Sequence, residues 1–432
     1  MINRFTKKAI KNLANLQFAV GLLAAISLII ALGTIIEQNQ TLTFYKENYP
    51  IDNPLFGFVS WKLIILLNLN QLYTSWWFLT TLLLFGGSLL ACTFTTQLPS
   101  IKSFKLWKFY SDSAQISKIG ITDRLQSKFS NTFSYECNKK KYHFFKQQKK
   151  GYAYVGLLGR VAPVIVHISI IVLLVGSTIG SFGGFSAQQL IPRGEITHIQ
   201  NLITFGKFSY LPQDLSLRIN DFWITYTKDL KTDQFYSDLS VLTGQGKEVK
   251  RKTVFVNEPL IIDNLVFYQT DWDIIGLKLR LADQTNFQIP LKGITKNNRK
   301  FWFGSVILNS QTEEKLSLVI DNLNGRISIY DINGILLKDS SIGETLVTKN
   351  NVTLQFLDYI TSTGLQVKTD PGIGTVYFSF LLLMISIYVS FFSYSQIWLT
   401  ESKGSLTLGG KSNRAVLFFQ EDFRRMIQES TK

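Results

Sequence analysis

Four long apolar runs divide this chain into membrane and aqueous segments. They cover residues 16–36, 76–94, 161–182 and 373–394, and none of them contains Lys, Arg, Asp or Glu. Roughly 20 apolar residues span a hydrocarbon core of about 30 Å, so each run predicts a transmembrane helix. The first run follows four basic residues, but it is too long for a signal peptide and lacks a small-residue cleavage site, which predicts a retained helix.

The segment between the third and fourth runs has the pattern of β-strands. Apolar and polar residues alternate over 215–219, 315–320 and 326–330, and Asn and Gly residues at 322–325 and 333–334 predict hairpin turns. No long apolar stripe at helical period interrupts this pattern. We therefore predict a membrane protein with four transmembrane α-helices and a large all-β domain, a sandwich or open barrel, over residues 183–372.

The segment 37–75, between the first and second runs, contains a shorter apolar stretch. Leu63 to Leu67 are apolar, and Trp61 and Tyr73 lie on either side of them. Five residues cannot cross a bilayer, but apolar stretches with aromatic anchors lie at the membrane interface. This stretch predicts an interfacial segment.

The distribution of Lys and Arg predicts the orientation of the chain. Residues 1–15 carry four basic residues, residues 95–160 carry 13 against three acidic ones, and residues 395–432 carry six against four. The segment 183–372 has 20 of each and the segment 37–75 has two basic against three acidic residues, so the excess behind the formal charge of +15 lies in the other three segments. These three belong on the cytoplasmic or stromal side, whereas 37–75 and 183–372 belong on the luminal or periplasmic side.

The composition argues against two further functional classes. With 46% hydrophobic and 17% charged residues, part of the chain lies in lipid, and its basic excess flanks the membrane helices. Such an excess marks topology and attracts anionic headgroups, so we expect contact with the lipid bilayer and no nucleic-acid partner. The two cysteines, Cys92 and Cys137, form no CxxC pair, which argues against a disulfide framework, a redox pair or a zinc knuckle.

The chain has three histidines, and one of them lies inside a predicted membrane helix. His143 belongs to the basic segment, where we expect a solvated or packing role. His198 follows the third run near the predicted luminal surface and is a minor candidate ligand. His167 lies about six residues, or roughly 10 Å of helix, inside the third run. An ionisable group at that depth indicates a proton relay, a metal or heme ligand, or a pathway residue; the alternative is an imidazole hydrogen-bonded to a neighbouring helix.

The third run separates His167 from a pair of glycines. At about 100° per residue, Gly176 and Gly180 fall nearly opposite His167. We expect the glycine pair to pack against a helix of the same chain while His167 points elsewhere. A neutral imidazole in an apolar cleft suits iron coordination, and the four runs contain no acid that proton pumping would use.

Short motifs along nearly the whole chain resemble the ResB/CcsB family of system II cytochrome c biogenesis, in its plastid or cyanobacterial form. They are GTIIEQ at 33–38, YTSWWF at 73–78, SLLACT at 88–93, QLP at 97–99, GR at 159–160, His167, GS at 176–177, QFYSDL at 234–239, VNEPL at 256–260, FYQTDW at 267–272 and SQIW at 395–398.

The resemblance implies a role in covalent heme attachment to apocytochromes c, among them cytochrome f and soluble c-type cytochromes. It implies a CcsA-type membrane partner, a separate thiol-reducing pathway, and a place for this chain as a subunit of a heme lyase, not catalytic alone and with no catalytic residue of its own. His167 corresponds to the family's axial ligand to heme b, which is handled as a substrate. Where members often carry another histidine, this chain has Tyr394, so the second ligand would come from the partner.

Two other functions stay open at this point. The chain could be a non-catalytic assembly factor whose β domain chaperones apocytochrome, or a transporter of another substrate. The abundance of Asn, Lys and Ile is typical of AT-rich plastid and cyanobacterial genomes, which predicts a thylakoid location with both termini stromal or cytoplasmic.

Overall fold

The computed structural model of this protein describes residues 4–99, 109–228, 232–281, 284–296, 299–309, 314–321, 323, 325–348, 352–402 and 404–432. It separates into two compact units, one formed by Met1–Thr178 and Gly372–Lys432 and the other by Ile179–Pro371. Part of the turn predicted at 322–325 lies outside the described residues. Three lysines of the basic segment, Lys102, Lys105 and Lys108, also lie outside them.

Within the described residues, four helices are long and apolar enough to cross a membrane, and this part of the predicted fold is confirmed. We call them the first to fourth spans: Leu16–Ile35, Trp76–Gln97, Ala162–Gly183 and Ile373–Ser390. The second span ends in a π-helical turn at Thr93–Gln97. The fourth span ends earlier than the predicted 394, because the chain turns after Ser390 and enters a strand at Ser395.

The short segment between the first two spans packs onto their ends. It contains the helices Leu42–Asn48 and Trp61–Leu66 and a 3₁₀ turn at Leu69–Thr74. Ile64 and Leu72 are buried against the first two spans, whereas Leu66 is 77% exposed. The Gln38 amide donates to the Leu69 carbonyl at 2.9 Å and accepts from the Leu72 N–H at 3.0 Å. One apolar face is thus fixed and the other is open, as an interfacial segment requires.

The basic segment and the C-terminal tail fold together into one small domain, which we call the split domain (residues 109–160 and 395–432). Its five-stranded antiparallel sheet has the order β1-β21-β20-β3-β2. The strands are β1 (Ile121–Gln126), β2 (His143–Gln147), β3 (Lys150–Val155), β20 (Ser395–Ser402) and β21 (Ser405–Ser412). Helices Ser130–Lys139 and Val416–Thr431 cover it, with Phe133, Leu408 and Phe423 in the core, and a short helix spans Ser113–Ile116. A basic N-terminal helix, Arg4–Leu13, precedes the first span.

The second unit is the predicted all-β domain, and among its described residues no sheet closes into a barrel. One sheet has the order β10-β11-β19-β4-β6, with β12 and β18 added at β11 and β19; a second has the order β13 to β17; a third has the order β5-β7-β8-β9. The strands are β4 (Phe185–Pro192), β5 (Ile196–Thr197), β6 (Leu202–Phe205), β7 (Leu215–Tyr226), β8 (Thr232–Thr243), β9 (Glu248–Phe255), β10 (Leu260–Ile262), β11 (Leu265–Leu281), β12 (Asn286–Pro290), β13 (Lys292–Lys296), β14 (Arg299–Asn309), β15 (Glu314–Ile320), β16 (Arg326–Tyr330), β17 (Leu336–Ser341), β18 (Thr345–Val347) and β19 (Thr353–Thr369).

Two hydrophobic cores share the long antiparallel pair β11 and β19. One end of the pair, with Phe267 and Val367, packs with β7 and β8. The other end, with Leu277 and Phe356, packs with the sheet of β13 to β17 around Trp302. The register shifts between Gln269 and Asp271, where the pair passes from one core to the other. A bulge there rotates the side chains, so one ribbon can serve two sandwiches.

Candidate functional site

His167 lines a cleft of about 260 Å³ between the third and fourth spans. The cleft is bordered by small, apolar and hydroxyl-bearing side chains together with one imidazole and one guanidinium. The lining residues are Ala162, Pro163, Val166, His167, Ser386, Ile387, Ser390 and Arg414. His167 itself is half-buried in the third span.

Two glycines bring the start of the third span against the end of the fourth. A Cβ on Gly159 would lie 1.7 Å from the Phe392 carbonyl oxygen, and one on Gly156 would lie 2.0 Å from that of Ser393. Gly156 also has a φ of +75°, which side chains rarely adopt. Only glycine permits this approach, and it is the approach that sets the cleft beside His167.

The third and fourth spans also touch at their other ends. A Cβ on Gly176 would lie 3.1 Å from side-chain atoms of Thr375 and Val376. The expectation that this glycine packs on a helix of the same chain is confirmed. Gly180 instead faces the side chain of Asp370, so the pair does not act as one motif. The ring of His167 contacts a different helix through Nδ1, which lies 3.0 Å from Thr93 Oγ1 of the second span, while Ser386 and Ser390 of the fourth span border the same cleft.

The hydrogen bonds around His167 favour one tautomer of its neutral ring. The Thr93 hydroxyl has one proton, and it donates that proton to the Leu89 carbonyl at 2.7 Å. Thr93 Oγ1 also lies 3.0 Å from His167 Nδ1. Since the hydroxyl proton is already used, Nδ1 is the donor in this contact. The neutral ring therefore carries its lone pair on Nε2, the nitrogen that is left for a metal.

Arg414 supplies the positive charge of the cleft. Its Nη1 donates to the Ser390 carbonyl at 2.5 Å, at the C-terminal end of the fourth span. Among the described residues, no carboxylate lies within ion-pair distance of Arg414. The Ser386 and Ser390 hydroxyls donate to the Leu383 and Ile387 carbonyls, so they offer only acceptors to the cleft.

The other candidate residues lie elsewhere. His198 is exposed in the large β domain, where its Nδ1 is 3.2 Å from the Leu215 carbonyl oxygen, and it does not line the cleft. His143 is exposed on β2 and packs on Tyr154. Tyr394 is buried, its hydroxyl 3.1 Å from that of Tyr152. It therefore packs against the split domain, and it is not among the residues that line the cleft.

The two cysteines lie in different parts of the fold. Cys137 is buried in the core of the split domain, where burial and then the nearby Glu136 carboxylate raise the pKa of its thiol to about 12. A thiol with that pKa is not ionised at neutral pH. Cys92 is part of the second span.

Two site residues were not identified from the sequence. Thr93 occurs in the SLLACT motif, but its contact with His167 joins residues 74 positions apart. Arg414 lies in the C-terminal tail, where the sequence marks it only as one of six basic residues. The sequence does indicate a polar face on the fourth run, because Ser386 and Ser390 recur one helical turn apart and share a face.

Comparison with known proteins gives consistent matches. The family model described as the ResB-like family matches residues 16–315 and 322–424. A relative from Emiliania huxleyi, named cytochrome c biogenesis protein Ccs1, is 50% identical over 98% of this chain and 97% of its own. One of the same name from Pyropia yezoensis is 43% identical over 99% and 98%, respectively. Cytochrome c biogenesis protein CcsB of a Picosynechococcus species is 41% identical over 98% and 91%.

Among solved structures, cytochrome c heme lyase CcmF matches with 9% identity and a TM-score of 0.26, covering 76% of this chain and 42% of that one. A score at this level supports no conclusion about fold or function.

Proposed function

The chain belongs to the ResB-like family, and from that premise we propose that it acts in cytochrome c biogenesis as a heme-handling subunit at the step of covalent heme attachment. Its role in cytochrome c biogenesis rests on relatives of that name over nearly its full length. The assignment to heme attachment rests on one observation, a histidine in a membrane span whose hydrogen bonds leave Nε2 unprotonated beside a cleft.

The residues of the cleft suit heme as a substrate. Heme combines an apolar ring, an iron that accepts imidazole nitrogen, and two carboxylates. Pro163, Val166 and Ile387 offer apolar contacts, His167 offers the nitrogen, and Arg414 offers a cation. Thr93 holds the ring of His167 from behind, as partners of metal-binding histidines do.

A membrane partner completes the site in this proposal. A volume of about 260 Å³ is smaller than the roughly 300–1,000 Å³ of typical small-molecule pockets. It therefore encloses only part of a heme. Tyr394 is committed to the split domain, so the second axial ligand comes from a histidine of a CcsA-type partner, which also encloses the remaining ring surface.

The chain supplies no reducing equivalents in this scheme. Thioether formation consumes reduced apocytochrome thiols, and the buried Cys137 cannot relay electrons to them at neutral pH. A separate thiol-reducing pathway therefore serves the apocytochromes, including cytochrome f. We place the complex in the thylakoid membrane, with the large β domain in the lumen, because the relatives come from plastids and cyanobacteria and the basic segments flank the opposite side.

The test replaces His167 with glycine in the chain co-purified with its CcsA-type partner. The gap left by the imidazole ring is open to free imidazole, so we expect the variant to lose most of its bound heme and to regain part of it when imidazole is added. Absorption spectra and heme-to-protein ratios measure both effects. His198→Gly is the matched control and should leave the heme content unchanged.

Two outcomes would contradict the proposal. If His167→Gly keeps the heme content and spectrum of the unmodified complex, His167 is a packing residue. If the complex contains no heme at all, the chain is better described as an assembly factor that chaperones apocytochrome.

A further inference from the structure

Arg414 is the one permanently charged group among the eight residues that line the cleft. It follows β21 and precedes the C-terminal helix, so the split domain carries it to the end of the fourth span. His167 lies within the third span, whereas Arg414 lies beyond the last residue of the fourth. The cleft therefore has a neutral imidazole on its membrane side and a guanidinium at its aqueous mouth.

We propose that Arg414 binds a propionate of heme, so that the carboxylate edge of the ring faces the split domain. This inference rests on the proposed function, since it assigns an orientation to the molecule that His167 ligates. A heme has its iron at the centre and both carboxylates on one edge. The cleft has the nitrogen ligand of His167 on its membrane side and the guanidinium of Arg414 at its mouth. These positions match the central iron and the carboxylate edge of heme.

The other polar side chains of the cleft offer no donor to a carboxylate. The last carbonyls of a helix carry partial negative charge, and the Ser390 carbonyl is one of them. The Ser386 and Ser390 hydroxyls give their protons to the backbone, and Nε2 of His167 has no proton in the neutral tautomer that donates from Nδ1. Among the described residues of the lining, Arg414 is thus the only side chain that can donate to an anion, and a guanidinium forms stronger, two-pronged bonds to carboxylates than an ammonium does.

Arg414 has donors to spare for this contact. One N–H, at Nη1, goes to the Ser390 carbonyl. A guanidinium has five N–H groups, and its other donors have no carboxylate within ion-pair distance among the described residues. The bond to Ser390 orients the planar group at the mouth, while the exposed remainder stays available to a ligand.

An anionic lipid headgroup offers Arg414 the same chemistry as a propionate, so the experiment must tell the two apart. The complex with its partner is depleted of heme and titrated in detergent with ferric heme and, separately, with heme dimethyl ester, whose carboxylates are uncharged. Absorbance reports binding of each. The unmodified chain is compared with Arg414→Gln and Arg414→Lys. Arg425→Gln is the control, because Arg425 and its partner Glu421 both lie on the C-terminal helix that follows Arg414.

We expect the unmodified complex to bind heme more tightly than its ester, by about two- to fivefold for one exposed ion pair. Arg414→Gln should lose this preference by weakening heme binding alone, Arg414→Lys should keep part of it, and Arg425→Gln should keep all of it. A merely structural role in capping the fourth span would weaken heme and ester equally, and that result overturns the inference.

The remaining outcomes are also distinct. Equal affinity of the unmodified complex for heme and ester means that Arg414 serves lipid or solvent, which again overturns the inference while leaving the role of His167 intact. Failure of the proposed function appears differently, as heme binding that His167→Gly does not change.

Discussion

At the scale of single residues, the chemistry of the site depends on where one hydroxyl proton goes. Thr93 is 5% exposed and forms two contacts, with the Leu89 carbonyl and with His167 Nδ1. Its bond to Leu89 makes it an acceptor toward the histidine. An imidazole without such a partner would be free to exchange tautomers and rotate, and a rotating ring is a poor ligand.

We predict that Thr93→Val weakens heme binding by the complex about tenfold, the lower end of what residues that hydrogen-bond to metal ligands contribute to metal sites. Valine keeps the volume but cannot accept from Nδ1. Thr93→Ser keeps the hydroxyl and should bind nearly normally. Heme titration followed by absorbance measures the effect.

The control for this prediction comes from the same π-helical turn. Thr95 also bonds to the carbonyl four residues before it, Ala91, but it is exposed and does not contact His167. Thr95→Val should leave heme binding unchanged. Equal losses in Thr93→Val and Thr95→Val would show that distortion of the turn, rather than the tautomer of His167, explains the effect.

The sequence predicts His167 but not its neighbours, for a physical reason. An ionisable residue within an uncharged apolar run is costly and stands out by itself. Thr93 and Arg414 become site residues only through the packing of helices that are distant in sequence, and nothing in their own surroundings distinguishes them. The roles of Thr93 and Arg414 therefore follow only from the three-dimensional structure.

At the scale of elements, the third span depends on close packing at Gly176. The nearest atoms to a Cβ there belong to Thr375 and Val376, both of them branched and stiff. Neither side chain can easily move away. In the second span, Gly87 has nothing within 4 Å of the corresponding position.

We predict that Gly176→Leu destabilises the membrane unit by about 1–3 kcal/mol, the usual cost of overpacking. Gly87→Ala should be neutral or slightly stabilising, since it removes backbone freedom without a clash. Thermal unfolding of both variants in one detergent measures the difference. If Gly176→Leu is as stable as the unmodified chain, the third and fourth spans do not pack closely at this glycine.

The split domain was not predicted, because its central strands lack the usual alternation. β20 lies between β3 and β21, and residues 397–400 of β20 and 406–410 of β21 are buried on consecutive positions. Strands covered on both faces have no two-residue period to detect. In the large β domain, by contrast, β16 buries Ile327 and Ile329 on one face, and the predicted alternation there is confirmed.

At the scale of the whole molecule, the split domain bears on the orientation of the chain. Residues 109–160 and 395–432 share one sheet, and Lys140 and Lys146 of the first half lie 3.1 and 3.5 Å from the carboxylates of Asp422 and Glu401 in the second. Two segments that fold together must lie on one side of a membrane. The charge pattern predicts a common side for these two segments independently.

We therefore predict that the split domain and the large β domain are labelled from opposite sides of the membrane. Cysteines are introduced singly at Lys149, in the β2–β3 turn, and at Gln245, in the β8–β9 turn, both of them exposed. Cys92 and Cys137 are first changed to serine, so that each variant carries one thiol. A membrane-impermeant maleimide added to sealed vesicles should label position 149 from the stromal or cytoplasmic face and position 245 only after the vesicles are opened.

Labelling is preferable to proteolysis, because the backbone of β1 to β3 is hydrogen-bonded within the sheet and resists cleavage. Labelling of both positions from the same face of intact vesicles would overturn the four-span topology.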